Sequence, residues 1–169
     1  MINENRPNPD FLAQLGALAL GSRLKRLSES MMADASQVYR HFGMDVQPRW
    51  FPLMALLHER DQVTVVEAAE AIRVSQPAVS QFIRQLQQAK LVRVVACEDD
   101  GRRRLLSLTR IGREAVETMQ PMWRAVNQAA EQLCADTGFD VLSVLGGLER
   151  ALSEKSLLSR TLEVHDAQG

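Results

Sequence analysis

Residues 64–112 read TVVEAAEAIRVSQPAVSQFIRQLQQAKLVRVVACEDDGRRRLLSLTRIG, and the order of signals in this stretch decides the fold. Thr64-Val65-Val66-Glu67 has the form of a capping box, in which the Thr hydroxyl and the Glu carboxylate each satisfy a free N–H at a helix start. The short helix that follows is predicted to end near Ile72. After the turn Arg73-Val74, Ser75 is placed to cap a second helix whose Pro77 falls in the first turn, where a missing N–H costs nothing. On that helix Val79, Phe82, Ile83 and Leu86 gather on one side, while Gln76, Pro77, Ser80, Gln81, Arg84, Gln85 and Gln88 face away from them. Amides pair bidentately with adenine and guanidinium with guanine, so Ser75, Gln76, Pro77, Ser80, Gln81 and Arg84 form a candidate DNA-reading surface. Leu91–Ala96 and Arg104–Leu108 are β-type runs joined by the polar loop Cys97–Arg103, which contains Gly101. A helix-turn-helix followed by such a hairpin is the order of elements in a winged helix, where the second helix enters the major groove and the wing flanks it.

The formal net charge of −1 argues at first against a nucleic-acid partner, but the charges are unevenly spread. From Arg73 to Arg113 nine Lys or Arg face three acidic residues, giving +6; the remainder holds eleven against eighteen, giving −7. A basic segment on an acidic scaffold is the electrostatic pattern of a DNA-binding module. The alternatives are a merely solvated basic face, or a winged helix that serves as a protein–protein interaction module without DNA binding.

Outward from this stretch the pattern is helical. Leu12, Leu15, Ala19, Leu24, Leu27, Met31, Ala35 and Val38 recur mostly three or four apart, predicting one long helix from Phe11 to His41. Asp45–Pro48 reads as a connector, and Pro48 opens a strongly apolar helix carrying Trp50, Leu53, Met54, Leu56 and Leu57, in which Pro52 falls early. Beyond the hairpin, Thr109 is a cap for a long helix to about Asp136, which Thr137-Gly138 should stop. A last helix is expected from Phe139 to about Leu162, with Gly146-Gly147 inside it costing roughly 1 kcal/mol each unless another backbone packs closely there. The fold class is therefore mainly α: a winged helix-turn-helix with a small β-hairpin wing and N- and C-terminal dimerisation helices. At 169 residues it is expected to form one structural domain, with 48–109 as the DNA-binding region and 1–47 and 110–169 as the helical dimerisation region. The terminal helices carry more apolar surface than a small winged helix can cover, so a homodimer is expected, facing palindromic half-sites about 10 bp apart or a multiple of that.

Other classes find little support. The sequence is 46% hydrophobic and 24% charged, has no run of roughly 18 apolar residues to span a bilayer, and does not begin with the basic-then-apolar order of a signal peptide. A cytoplasmic protein with no membrane partner is expected. Cys97 and Cys134 are too few and too distant for a disulfide framework, and His41, His58 and His165 are scattered, so no metal site is expected. Nor does the sequence hold a Gly-rich phosphate loop, a nucleophile elbow or an acid–base cluster; neither enzyme activity nor a cofactor is expected. Cys97 would serve as a redox switch only if nearby arginines stabilised its thiolate, and Glu98, Asp99 and Asp100 act against that.

The stretch Asp99-Asp100-Gly101-Arg102-Arg103-Arg104-Leu105-Leu106-Ser107-Leu108-Thr109-Arg110-Ile111-Gly112 resembles the Asp-x-Arg wing tip, strand and Leu-Thr-x-x-Gly helix start of the multiple antibiotic resistance regulator (MarR) family. Val74–Ser80 is similar to the start of that family's recognition helix, and the flanking helices match it in order and length. The resemblance implies a dimeric transcription regulator that binds double-stranded DNA. Arg102 would reach the minor groove or its phosphates, with Asp100 holding its guanidinium and Arg103 beside it. It also implies a small-molecule effector, often aromatic or anionic, bound where the dimer helices meet the winged region. Tyr39, Phe42, Trp50, Phe51 and Met54 lie where such a pocket could form, although each serves equally well as a core residue. One departure is Arg73, which stands where the family often has glycine; a positive φ there would carry a steric cost, and another turn geometry would avoid it.

Overall fold

Thr64 is where a strand becomes a helix. The computed structural model describes residues 10–96 and 104–168, so Cys97–Arg103, and with them Asp100, Arg102 and Arg103, lie outside the described residues. Strand β1 (Gln62–Thr64) passes directly into helix α4 (Val65–Ala71). The expected capping box forms at this junction: the Thr64 backbone N–H donates to Glu67 Oε2 at 2.7 Å, and the Glu67 N–H donates to Thr64 Oγ1 at 3.2 Å. Strands β2 (Val92–Ala96) and β3 (Arg104–Leu108) pair antiparallel with Val92 opposite Leu108 and Ala96 opposite Arg104. β1 adds to the other edge of β3, with Val63 opposite Leu106, so the expected two-stranded hairpin is part of a three-stranded sheet in the order β1-β3-β2. A three-residue strand with one apolar member is too short for its alternation to be read.

The helix-turn-helix comprises α4 and α5 (Gln76–Gln88). Ile72 is the C-cap of α4; the Arg73 N–H then donates to Glu70 O at 3.3 Å and the Val74 N–H to Ala69 O at 3.1 Å, the paired bonds of a Schellman motif. Arg73 has φ +52°, so the turn uses the left-handed geometry with an arginine in it, a cost of roughly 1–2 kcal/mol relative to ordinary backbone. The end of α5 repeats the device: Lys90 has φ +60°, its N–H donates to Gln87 O, and the Leu91 N–H donates to Leu86 O. Neither position holds the glycine that usually marks such a stop.

Helix α3 (Phe51–Arg60) follows a 3₁₀ turn, Pro48–Trp50, with Pro52 in its first turn. It supplies Leu53, Met54 and Leu57 to a core completed by Val79, Leu86, Leu106, Leu108, Val116 and Met119, all of them fully buried.

The chain resolves into two compact units, residues 1–119 and 120–169. In the first, the expected single helix from Phe11 to His41 is broken into α1 (Phe11–Gln14), a 3₁₀ turn at Gly16–Ala19, and α2 (Leu20–His41). Gly16 at φ +58° makes the break, and the carboxylate of Asp10 holds the folded-back end by accepting from Arg26 Nη1 at 3.0 Å and Nη2 at 2.6 Å. The Arg26 guanidinium keeps the Asp10 carboxyl at about 2, below its ordinary 3.8. Helix α6 runs from Arg110 to Asp136, where the Thr137 hydroxyl donates to Cys134 O and Gly138 at φ +72° ends it, as expected. The expected final helix is two, α7 (Val141–Glu154) and α8 (Leu157–Asp166). Lys155 is extended, and Ser156 caps α8 by accepting from the Ser159 N–H at 3.1 Å. Among the described residues, no backbone approaches Gly146 or Gly147 closely; a Cβ at Gly146 would meet only the end of Arg150, and one at Gly147 would meet nothing within 4 Å.

Candidate nucleic-acid interface

Helix α5 is set by its buried face. Val79, Ile83 and Leu86 are buried, which turns Gln76, Pro77, Gln81 and Arg84 to solvent, while Ser80 lies half-buried at the margin. Ser75 is exposed and caps the helix, its hydroxyl accepting from the Ala78 N–H at 3.4 Å. Of the six expected residues the structure thus exposes five along α5 and its cap, with Ser80 half-buried beside them. Gln85 does not join them. Its side chain bends back, and its Oε1 accepts from Trp50 Nε1 at 3.0 Å and Arg49 Nη2 at 3.3 Å. Helical spacing places Gln85 on the flank of the polar face, and only the three-dimensional position of the Pro48–Trp50 turn decides which way it points.

The root of the wing is held by a cluster around the Leu91 carbonyl. That oxygen accepts from the Thr109 backbone N–H at 2.9 Å and from Thr109 Oγ1 at 3.3 Å, and Thr109 Oγ1 also donates to Lys90 O at 2.7 Å. The same hydroxyl accepts from the Gly112 N–H at 3.0 Å, capping α6. A Cβ on Gly112 would lie 2.0 Å from Leu91 O, so only glycine fits. This gives the Leu-Thr-x-x-Gly pattern a physical meaning: it staples the end of β3 and the start of α6 to the stretch between α5 and β2. Ser107, buried in the central strand, is satisfied by Arg93 Nε at 2.9 Å. Of the nine basic residues counted between Arg73 and Arg113, Arg93, Arg110 and Arg113 are engaged within the chain, by Ser107, Glu114 and the Leu108 carbonyl respectively. Arg73, Arg84, Lys90 and Arg104 are exposed on the helix-turn-helix and the strands.

Of the residues expected around an effector, two line one described cleft. Tyr39 and Trp50 line a cleft of about 540 Å³ between α2 and the loop 44–50, together with Arg40, Met44, Val46 and Pro48. Met54 is instead fully buried core, whereas Phe42 and Phe51 are exposed at 49% and 42% and do not line the cleft. Phe42 stacks edge-on against His41, with ring centroids 5.3 Å apart. Aromatic type alone cannot separate cleft wall from core.

Among the described residues no group of three or more His, Cys, Asp or Glu could hold a metal ion, and no helix is long and apolar enough to cross a membrane.

The MarR family model matches residues 44–103. No curated protein matches the chain. Among solved structures, S. aureus MepR in complex with DNA is similar over 80% of this chain and 97% of its own, with 22% identity and a TM-score of 0.65. Bordetella bronchiseptica BpsR, whose DNA binding is regulated by 6-hydroxynicotinic acid, is similar over 77% of this chain and 92% of its own, at 22% identity and a TM-score of 0.60. PcaV of Streptomyces coelicolor, in complex with its natural ligand, is similar over 81% and 93%, at 17% identity and 0.63. The family model thus spans α3 through β2, and these solved structures share the winged helix-turn-helix fold of the chain.

Proposed function

We propose that this protein is a sequence-specific DNA-binding transcription regulator that acts in the cytoplasm as a homodimer on a palindromic operator and responds to a small molecule. The observation that carries the reading is the exposed face of α5, where Ser75, Gln76, Pro77, Ser80, Gln81 and Arg84 are presented together by a helix-turn-helix with the wing strands directly after it. Arg102 and Arg103 of the wing add the charge that grips phosphates, with Asp100 orienting Arg102. The similarity to MepR in its DNA complex supports this assignment.

Residues 48–109 serve as the DNA-binding region and 1–47 with 110–169 as the dimerisation region of one domain. In support, no residue of α2 from Leu20 to Asp34 is buried, and Leu20, Leu24, Leu27 and Met31 are 42–57% exposed. Leu142, Leu145 and Leu152 of α7 and Leu158 and Leu162 of α8 are likewise exposed. Apolar area on this scale marks an interaction site, and a second copy offering the same surface would cover it under twofold symmetry. The cleft bounded by Tyr39, Arg40 and Trp50 is the place assigned to the effector, an aromatic or anionic molecule; the ligands bound by or regulating BpsR and PcaV support a ligand-responsive role.

The test is a gel-shift titration against the protein's own upstream DNA, with unrelated duplex as competitor and at two salt concentrations. Specific binding is expected, falling with salt at a log-log slope of about −0.9 per neutralised phosphate. Arg84→Ala and Arg102→Ala should each weaken it without lowering the thermal midpoint. Failure to bind any duplex at low salt, or a flat salt response, would overturn the assignment. Light scattering should report twice the 18.9 kDa of one chain.

A further inference from the structure

We propose that Gln85 is a positioning residue of the recognition helix: its side-chain oxygen, held by the Trp50 indole and the Arg49 guanidinium, latches α5 to the turn before α3 and so sets the rotation with which α5 meets DNA. This rests on the DNA-binding reading and deepens it. The two donors reach Gln85 across 35 and 36 positions of sequence, at 3.0 and 3.3 Å. Trp50 is only 6% exposed and its bond to Gln85 is part-buried, so the indole N–H has little access to water, and Gln85 Oε1 is the acceptor that serves it. Among the described residues, the buried side chains by which α5 packs on the fold are apolar, Val79, Ile83 and Leu86. Apolar packing is non-directional and tolerates small rotations, whereas a hydrogen bond weakens steeply as its angle closes. Gln85 lies one position from Arg84 and four from Gln81, so a small rotation of α5 displaces the residues proposed to contact bases. The latch also ties α5 to the turn whose Pro48 and Trp50 line the cleft.

Gln85→Leu alone leaves a buried indole donor unpaired, which destabilises the fold for reasons unrelated to DNA. Trp50→Phe removes the donor and keeps an aromatic ring, and the double variant Trp50→Phe/Gln85→Leu leaves neither partner unsatisfied. The wild-type chain and these three variants are titrated with the upstream duplex and with unrelated duplex. Hydrogen exchange of the α5 amides is followed without DNA, using the α6 amides around Val116 as reference. Expected are a loss of specific affinity of about three- to tenfold for Trp50→Phe, no further loss in the double variant, and unchanged affinity for unrelated duplex. Exchange near residues 84–89 should quicken relative to α6 in Trp50→Phe and Gln85→Leu, and recover in Gln85→Glu, which keeps the acceptor oxygen.

Wild-type affinity in Trp50→Phe, or losses that multiply in the double variant, would overturn the proposal, the second because it means Gln85 meets DNA itself. Should the wild-type chain bind no duplex, the DNA reading fails separately. The exchange measurement then decides the latch alone: unchanged α5 protection in both single variants overturns it, and selective loss restored by Gln85→Glu supports it.

Discussion

Replacing Gly112 with alanine sets two well-known effects against each other. In a helix, alanine is favoured over glycine by about 1 kcal/mol, and Gly112 lies within α6. Its Cβ would, however, fall 2.0 Å from the Leu91 carbonyl oxygen, 3.0 Å from the Leu91 carbonyl carbon and 3.3 Å from Leu108 Cδ2. Real Cβ atoms essentially never come within 3.0 Å of another heavy atom, so helix and carbonyl would have to separate by about 1 Å or more. That carbonyl belongs to backbone, accepts the Thr109 N–H at 2.9 Å, and cannot move without loosening the clasp at the wing root. Overpacking of this kind costs about 1–3 kcal/mol. Weakening the Leu91–Thr109 bond adds about 1, and disturbing the Thr109 cap about 1 more. After the gain in helix propensity is subtracted, the net loss is about 2–4 kcal/mol, or a midpoint lower by roughly 5–15 °C for a chain of this length. Thermal unfolding followed by far-ultraviolet circular dichroism, at one fixed chain concentration because association shifts the midpoint, measures it. A midpoint equal to or above that of the wild type would mean that propensity wins, and would refute the close approach of Leu91 to α6.

Three further outcomes are expected. Arg73→Gly and Lys90→Gly relieve left-handed strain but loosen the unfolded chain, so each should raise stability by up to about 1 kcal/mol; chemical denaturation with no gain in either variant would contradict the strained turns. Asp10 should titrate at about 2 by carbon-detected NMR and move back toward 3.8 in Arg26→Gln. Because its folded value is depressed, the stabilisation from this pair is present above the unfolded value and is lost as pH falls through about 2; an Asp10 midpoint unaffected by Arg26→Gln would show that the pair does not form. Thr64→Ala should cost about 0.5–2 kcal/mol by removing the capping box, whereas Thr64→Ser should retain most of it; equal stability of the two variants would argue against the box.

How much of this was legible in the sequence depended on whether a signal was local. The starts of α4, α5 and α6 were readable because Thr64, Ser75 with Pro77, and Thr109 act on N–H groups within three residues of themselves. The stop at Gly138 and the span of β3 were readable for the same reason. The break at Gly16 was hidden because apolar spacing continues through it, and only the pairing of Asp10 with Arg26, sixteen residues on, reveals the fold-back. The break at Lys155 was hidden likewise, since Ala151 and Leu158, seven apart, keep a helical spacing across it and neither glycine nor proline stands between them. The ends of α4 and α5 carry Arg73 and Lys90 where glycine would have been the signal, and β1 is fixed by its partner strand rather than by its own pattern. At the candidate site, the α5 face followed from spacing. The inward turn of Gln85 and the separation of Tyr39 and Trp50 from Phe42, Phe51 and Met54 required the positions of elements remote in sequence.

The junction at Thr64 bears on how such a protein can be re-engineered. One residue ends the strand that flanks the central wing strand and begins the first helix of the helix-turn-helix, with no loop between them. A chimera that takes its recognition helix from a relative should therefore import the block from Gln62 to Gly112 whole, since a splice inside 62–67 would divide the sheet edge from the cap that depends on it. Tolerance to insertion should be sought elsewhere, at Thr137–Asp140, where the chain already runs between helices.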